Sequence, residues 1–180
     1  MLVNVSERFD GQDWPKELLY GRRMSAWLDR LAPDASEALR LAARAQHIQR
    51  WQISRKDYDE GKKGYHLWRT TLYRYHAERA GEILTAAGYD SQTVARVAAL
   101  LQKKHLRSDP EAQTLEDAAC LVFLENYFAE FATRYEPDKI VDIVRKTWAK
   151  MSPNGHQAAL AMAGSLPPEA LKLVQTALAA

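Results

Sequence analysis

Three histidines and one aspartate occupy positions of predicted helices that face the protein core and are otherwise apolar. His76 interrupts the apolar stripe of one helix and Asp117 begins that of another, while His47 and His105 lie at inward spacings on two more. A buried polar side chain costs stability unless it is satisfied. Imidazole nitrogen and carboxylate oxygen suit Zn, Mn or Fe. The pattern therefore predicts that the four side chains converge on one divalent metal. The alternative is that each is a core residue hydrogen-bonded to a neighbouring group.

A basic middle segment provides a second candidate site. Between Arg40 and Arg107 the chain has 14 Lys and Arg against 6 Asp and Glu, a balance of +8 in a protein of net charge +2. Arg binds phosphate in a bidentate manner and Lys acts as a point charge. The predicted phosphate-binding residues are Arg44, Arg50, Arg55, Lys103 and Lys104.

Aromatic residues interleave with these basic residues. They are Trp51, Tyr58, Tyr65 and Trp68. Such rings are suited to stacking on a nucleobase. The alternative is a Trp- and Tyr-rich core wall from which Lys and Arg point into solvent.

The sequence predicts that helices carry these residues and determine where they lie. Apolar residues recur at spacings of three and four, and capping residues or prolines precede most of the stretches. No stretch of the sequence shows the alternation of apolar and polar residues, bounded by turn-forming residues, that indicates a β-strand. We expect a compact all-α bundle of seven or eight helices, with the second helix running through residues 35–51. Residues 1–151 are predicted to form the helical domain, and residues 152–180 a C-terminal helical appendage packed on it.

Composition excludes several classes of protein. A chain of 180 residues with 47% apolar residues buries a core without disulfides. Its one cysteine, Cys120, excludes a disulfide framework and fits a reducing cytosol. Residues 1–10 lack the features of a signal peptide, and no apolar run reaches the length of a membrane span. We therefore expect a cytoplasmic protein without a membrane partner. The isoelectric point of about 8.6 does not favour strong nucleic-acid binding.

Five segments resemble a family of domains of unknown function, DUF4202. They are residues 42–48 (AARAQHI), 75–84 (YHAERAGEIL), 87–90 (AGYD), 113–125 (QTLEDAACLVFLE) and 146–152 (KTWAKMS). The resemblance covers most of the chain, and the family brings no known activity.

The order of these segments also resembles the HD-domain superfamily of all-helical, metal-dependent phosphohydrolases. In that likeness His47 corresponds to the histidine of the His-Asp pair, and Asp117 to the final aspartate. His76 and His105 correspond to the two additional histidines of the two-metal members. The resemblance implies hydrolysis of a nucleotide or another small phosphorylated molecule with Mn, Fe, Ni or Zn. Ile48 replaces the aspartate of the pair, and no histidine precedes His47, so about half of the ligand set is missing.

Three functions remain open at this point. The first is a hydrolase in which Gln46 or Glu78 completes the metal shell, with Glu78 or Glu116 as the candidate general base. The second is a non-catalytic pocket for an anion or a nucleotide. The third is an RNA- or protein-binding helical module that uses the basic middle segment. The sequence predicts neither the substrate nor the oligomeric state.

Overall fold

The computed structural model describes residues 5–106 and 108–179, and most of these are helical. The α-helices are α1 (Lys16–Leu31), α2 (Glu37–Ala45), α3 (Gly61–Ala86), α4 (Ser91–Leu101), α5 (Pro110–Asn126), α6 (Phe128–Ala132), α7 (Pro137–Trp148), α8 (Pro153–Met162) and α9 (Pro168–Leu178). Short 3-10 helices cover Arg50–Gln52, Arg55–Asp57 and Ala163–Ser165. The prediction of a helical bundle is confirmed in that the protein is mainly helical, with nine α-helices among the described residues where seven or eight were predicted.

A β-hairpin before α1 corrects the expectation that the chain has no strands. Strand β1 (Ser6–Phe9) pairs antiparallel with β2 (Gln12–Pro15). Asp10 and Gly11 connect them with φ angles of 51° and 74°. Asp-Gly is a strong signal for a two-residue hairpin turn, because both positions need a positive φ. The sequence carries this signal, but the strands are too short and too polar for their alternation to stand out.

Local capping explains where several helices begin. The Ser36 side chain accepts a hydrogen bond from the backbone N–H of Leu39 at the start of α2. Asp109 caps α5 in the same way, and proline occupies the first turn of α5, α7, α8 and α9. These residues satisfy or remove backbone donors that a helix start leaves unpaired.

The second helix ends earlier than predicted. It stops at Ala45, and the chain then turns through residues 46–49 before the 3-10 helix at Arg50. Gln49 adopts a left-handed conformation with φ 49°. His47 and Arg50 therefore lie outside α2, and the direction of their side chains does not follow from helical spacing.

The hydrophobic core lies between α1, α2, α4 and α5, and α3 packs on α4. Met24, Leu28 and Leu121 are among the side chains that are almost completely buried. Helix α8 packs on α5, and α9 packs on α7. Ala159 of α8 and Ala177 of α9 belong to the same buried cluster as the earlier helices. Among the described residues, no helix is long and apolar enough to cross a membrane.

Gly21 permits the close approach of α1 to α2. A Cβ atom at this buried position would lie 2.7 Å from the carbonyl oxygen of Arg44. We expect Gly21→Ala to lower the free energy of unfolding by about 1–3 kcal/mol, because the two backbones must separate. Urea denaturation measures this change. The matched control is Gly164→Ala, whose Cβ would meet no atom within 4 Å. Equal midpoints for the two variants would contradict the packing argument.

Candidate functional site

A cavity of about 540 Å³ lies between α1, the turn after α2, α3 and α5. Its charged lining residues are Lys16, Glu17, Arg50, Arg69, Lys103, Glu116 and Lys150. Its aromatic lining residues, with histidine included, are Tyr20, His47, Trp51, Trp68, Phe123 and Tyr127. The cavity thus combines a charged wall with flat rings, and five cations face two carboxylates.

The positive charge of this wall is only partly balanced. Lys103 forms an ion pair with Glu116. Within the part of the chain that the structure describes, no ion pair involves Arg50 or Arg69. Arg69 donates instead to the hydroxyl of Tyr73, at 2.6 Å from Nη2. Two guanidinium groups therefore line the cavity with no carboxylate at ion-pair distance among the described residues, while the charges of Glu17 and Glu116 act on them from farther away.

Arg50 is held by two contacts from the cavity wall. Its guanidinium lies 4.7 Å from the centre of the Trp68 ring, and its Nη1 is 3.3 Å from Nε2 of His47. The indole N–H of Trp68 donates to the carbonyl of Ile53, which fixes the ring. Burial lowers the pKa of Arg50, and the charge of Arg69 lowers it further. The two arginines are thus close enough to repel one another.

His47 is a neutral side chain of the cavity wall. A guanidinium only donates hydrogen bonds, so Nε2 of His47 accepts from Arg50 and the ring proton lies on Nδ1. The ring stacks on Tyr20 with centroids 3.7 Å apart and planes 14° from parallel. Burial lowers the pKa of His47 well below its ordinary value, and the charge of Arg50 acts in the same direction.

His76 lies behind His47, with ring centroids 6.1 Å apart. Its Nδ1 is 2.9 Å from the carbonyl oxygen of Ile48. Because a carbonyl only accepts, Nδ1 carries the proton and Nε2 does not. That Nε2 is buried and has no hydrogen-bond partner among the described residues. Burial lowers the pKa of His76 to about 4. The pair is therefore neutral at physiological pH.

Burial of these two histidines makes stability depend on pH. The unfolded chain binds a proton at His76 near pH 6.5, and the folded chain only near pH 4. Between these values the unfolded state holds more protons, so the free energy of unfolding falls as the pH falls. We expect each buried histidine to contribute a slope approaching about 1.4 kcal/mol per pH unit. Urea denaturation at pH 7.5, 6.5 and 5.5 measures this dependence of the free energy of unfolding on pH.

Two variants test the origin of the pH dependence. His76→Ala should reduce the slope of the free energy of unfolding against pH, whereas His105→Ala, at an exposed position, should leave the slope unchanged. Equal slopes in the wild type and both variants would contradict the role of His76.

His105, predicted to point inward, is exposed on the turn after α4. Helix α4 ends at Leu101, and the backbone takes φ angles of 56° at Lys103 and 57° at His105. The carbonyl of His105 accepts from the backbone N–H groups of Ser108 and Asp109. The apolar stripe of α4 therefore does not extend to this residue.

Asp117 is buried as predicted, but its partners are backbone and side-chain groups of the protein. It accepts from the backbone N–H of Ser152 at 2.9 Å and from the amide of Gln113 at 3.0 Å. The hydroxyl of Ser152 donates to the same carboxylate. Gly155 lies directly against it, since a Cβ there would be 2.7 Å from the carboxyl carbon. Asp117 of α5 thus connects, through these hydrogen bonds, to Ser152 at the beginning of α8.

The four predicted metal ligands are only partly brought together. His47 and His76 are neighbours, whereas His105 is exposed and Asp117 is bonded to Ser152. In residues 5–106 and 108–179, no group of three or more His, Cys, Asp or Glu side chains is placed to hold a metal ion. A four-ligand shell does not fit this arrangement, and we assign no chemical step to a metal.

The predicted phosphate-binding residues divide into two sets. Arg50 and Lys103 line the cavity. Arg44 and Lys104 are exposed outside its lining, and Arg55 donates to the carbonyl of Tyr58 at 2.8 Å. The structure therefore places two of the five at the candidate site.

The two candidate general bases also differ in position. Glu78 is exposed, and its Oε1 atom lies 3.8 Å from Nε of Arg74 on the same helix. Glu116 lines the cavity and is paired with Lys103. Burial opposes its ionisation, but the charge of Lys103 holds the pKa of Glu116 below its ordinary value. Glu116 is thus an ionised member of the cavity wall.

Several lining residues were not predicted from the sequence. Arg69 directly follows Trp68 within the basic middle segment, so the interleaving of charges and rings could have identified it. Glu17 and Tyr20 carry no comparable signal, because they belong to α1, far from that segment. Cys120 also lines the cavity, and burial raises the pKa of its thiol to about 12. A thiol with this pKa is not a nucleophile at neutral pH.

Comparison with protein-family models gives a match that covers most of the chain. A family model described as a domain of unknown function (DUF4202) matches residues 4–174. No significant match is found among curated proteins or among solved structures.

Proposed function

The chain belongs to the DUF4202 family, whose description names no activity, and we propose that it binds a small phosphorylated molecule of the nucleotide class in the cavity described above. The observation that carries this proposal is the pair Arg50 and Arg69. Both guanidinium groups line the cavity, and neither has a carboxylate partner among the described residues.

An anion would relieve an electrostatic cost of this arrangement. Partly buried like charges repel each other, and a bound anion would oppose that repulsion. Burial and the charge of Arg69 lower the pKa of Arg50, so the cost falls on Arg50. Burial also acts to lower the pKa of Arg69, but Tyr73 and Tyr65 outweigh it and raise that pKa. Guanidinium groups match phosphate oxygens in geometry and donate charge-assisted hydrogen bonds. Contacts to Tyr73, His47 and Trp68 already restrict the two side chains, which lowers the entropic cost of binding.

The remainder of the cavity suits the organic part of such a ligand. A volume of about 540 Å³ is within the range of sites that enclose small molecules. Tyr20, Trp51 and Phe123 add ring surface to the lining. Aromatic side chains stack on nucleobases irrespective of sequence, and for this reason a nucleotide is favoured over a small inorganic anion.

Hydrolysis of the bound phosphoester is a second candidate, together with the HD-domain relationship that the sequence predicts. The observation in its favour is the neighbouring pair of neutral imidazoles, His47 and His76. Elemental analysis after purification, followed by a nucleotide panel with Mn, Fe, Ni or Zn, tests it. Stoichiometric metal with release of phosphate would support the hydrolase, and binding without turnover would leave the binding function alone.

Calorimetric titration tests the proposed binding. Nucleoside monophosphates should bind with a measurable dissociation constant, and the matching nucleosides without phosphate should bind at least tenfold more weakly. The affinity should change little between 50 and 200 mM salt, because one buried phosphate is recognised. An RNA-binding surface with 6–10 phosphate contacts would instead lose about 10³–10⁵ in affinity over that range. Equal binding of nucleoside and nucleotide would overturn the proposal.

A further inference from the structure

Lys150 is a cation of the cavity wall that the proposed phosphate contacts do not use. It follows the end of α7, lines the cavity together with Thr147 of that helix, and is exposed. No ion pair between described residues includes Lys150. Its ammonium group is therefore accessible to a ligand and has no carboxylate at ion-pair distance in the described part of the chain.

The backbone at Lys150 is fixed against α5. Its carbonyl oxygen accepts a hydrogen bond of 2.8 Å from the side-chain amide of Gln113, which also donates to Asp117 at 3.0 Å. The backbone N–H of Lys150 donates to the carbonyl of Thr147 at 3.1 Å. These contacts hold the residue at the cavity, and none of them uses its side chain. A substitution of Lys150 therefore leaves them in place.

The charge of Lys150 acts on the same part of the wall as the charge of Arg69. Burial acts to raise the pKa of Glu116, but Lys103, and after it Lys150 and Arg69, hold that pKa below its ordinary value. Arg69 also acts on Arg50, because its charge lowers the pKa of that guanidinium. The positive charge of the cavity thus extends from Arg50 through Arg69 to the part of the wall near Lys150.

The cavity carries more positive charge than one phosphate balances. Five lining cations face two lining carboxylates, which leaves an excess of three positive charges even when both carboxylates are ionised. Lys103 is paired with Glu116, and Glu17 directly follows Lys16 in the chain. The three remaining cations are Arg50, Arg69 and Lys150. A phosphate monoester carries only about 1.5–2 negative charges at pH 7, so a monophosphate leaves part of this excess without a counter-charge.

We propose that the ligand of this cavity carries a second phosphate group and that Lys150 binds it. The inference rests on the proposed function and narrows its ligand class to nucleotides with two phosphates. Arg50 and Arg69 bind the first phosphate, whose oxygens match the geometry of guanidinium groups. Lys150 binds the second phosphate as a point charge, which sets no requirement for where on the nucleotide that phosphate is attached. A 5′-diphosphate and a 3′,5′-bisphosphate share this chemistry.

Matched ligands that differ by one phosphate test the inference. They are the 5′-monophosphate, the 5′-diphosphate and the 3′,5′-bisphosphate of adenosine and of guanosine, in buffer without divalent cations. Calorimetric titration of the wild type at 50 mM salt should show, for at least one base, a tenfold or greater preference for a ligand with two phosphates over the monophosphate. Low salt limits the screening of the exposed ammonium group. The preferred two-phosphate ligand identifies where the second phosphate is attached.

Three variants test whether Lys150 is the source of this preference. Lys150→Ala should reduce it to about threefold or less and change the dissociation constant of the monophosphate by no more than about twofold, because the first phosphate does not contact this residue. Lys150→Arg keeps the charge and should retain most of the preference. The matched control is Lys146→Ala, which removes an exposed lysine of α7 that pairs with Asp142 outside the cavity lining and should retain all of it. Thermal melts establish that each titrated variant is folded.

The outcomes distinguish this inference from the proposed function. If the monophosphates bind and the ligands with two phosphates bind less than about threefold more tightly, the inference is wrong and the proposed function stands. A preference that Lys150→Ala retains in full also overturns the inference, as does an equal loss of affinity for ligands with one and two phosphates. If none of the six ligands binds to the folded wild type, the proposed function fails together with it.

Discussion

Replacing Arg50 or Arg69 with alanine is expected to weaken the binding of a nucleoside monophosphate by about 10- to 150-fold. Hydrogen bonds to charged groups contribute about 1.5–3 kcal/mol, and about 1.4 kcal/mol corresponds to a factor of ten in affinity. Both guanidinium groups lack a carboxylate partner among the described residues, so the phosphate would be their counter-charge. Calorimetric titration against the wild type measures the loss.

The chain offers a matched control for this prediction. Arg74 lies on the same helix as Arg69, but it is exposed and lies 3.8 Å from Glu78. Arg74→Ala should leave the dissociation constant within about twofold, since exposed ion pairs contribute little. Arg50→Lys and Arg69→Lys keep the charge and lose bidentate geometry, so they should fall between wild type and alanine variant. Unchanged affinity in Arg50→Ala and Arg69→Ala would exclude the cavity as the phosphate site.

Asp117→Ala is expected to lower the free energy of unfolding by about 2–4 kcal/mol. The substitution leaves the backbone N–H and hydroxyl of Ser152 and the amide of Gln113 without their acceptor. It also opens a space beside Gly155, at the start of α8. Urea denaturation at pH 7 measures the change, and Asp117→Asn should recover part of it because one acceptor oxygen remains.

This result separates a structural aspartate from a ligand of the site. The folded fraction of Asp117→Ala should bind the nucleoside monophosphate with the affinity of the wild type, because Asp117 is not part of the cavity lining. A stable variant that has lost ligand binding would contradict the structural role and favour the predicted convergence of Asp117 with the histidines.

The helices could be predicted because their signals are local. Proline at the first turn, a capping aspartate at Asp109 and a capping serine at Ser36 each determine the backbone within a few residues of themselves. The burial of His76 and Asp117 also followed from spacing, because both lie inside long helices where the period of 3.6 residues holds.

The predicted position of His105 depended on α4 continuing to that residue. His47 and His105 were both placed by extending an apolar stripe past the last residue of α2 and of α4, but His47 lines the cavity beside His76, whereas His105 is exposed. The left-handed residues Gln49 and Lys103 show that the backbone changes direction there, and a non-glycine residue gives little warning of a positive φ. For this reason the His105 side chain is exposed to solvent and does not point into the core.

The cavity itself could not be predicted from spacing. Its wall joins Glu17 and Tyr20 of α1 to Arg69 of α3 and Glu116 of α5, and only the packing of these helices brings them together. The basic middle segment included Arg50 and Lys103, which line the cavity. It did not separate them from Arg44 and Lys104, which are exposed to solvent outside the cavity lining.

The most direct measurement is a crystal structure of the protein with a bound nucleoside monophosphate. We expect phosphate density in the cavity, with phosphate oxygens within hydrogen-bonding distance of the guanidinium groups of both Arg50 and Arg69. Density for the ligand on another surface, or a cavity in which a carboxylate of the protein neutralises these two arginines, would contradict it.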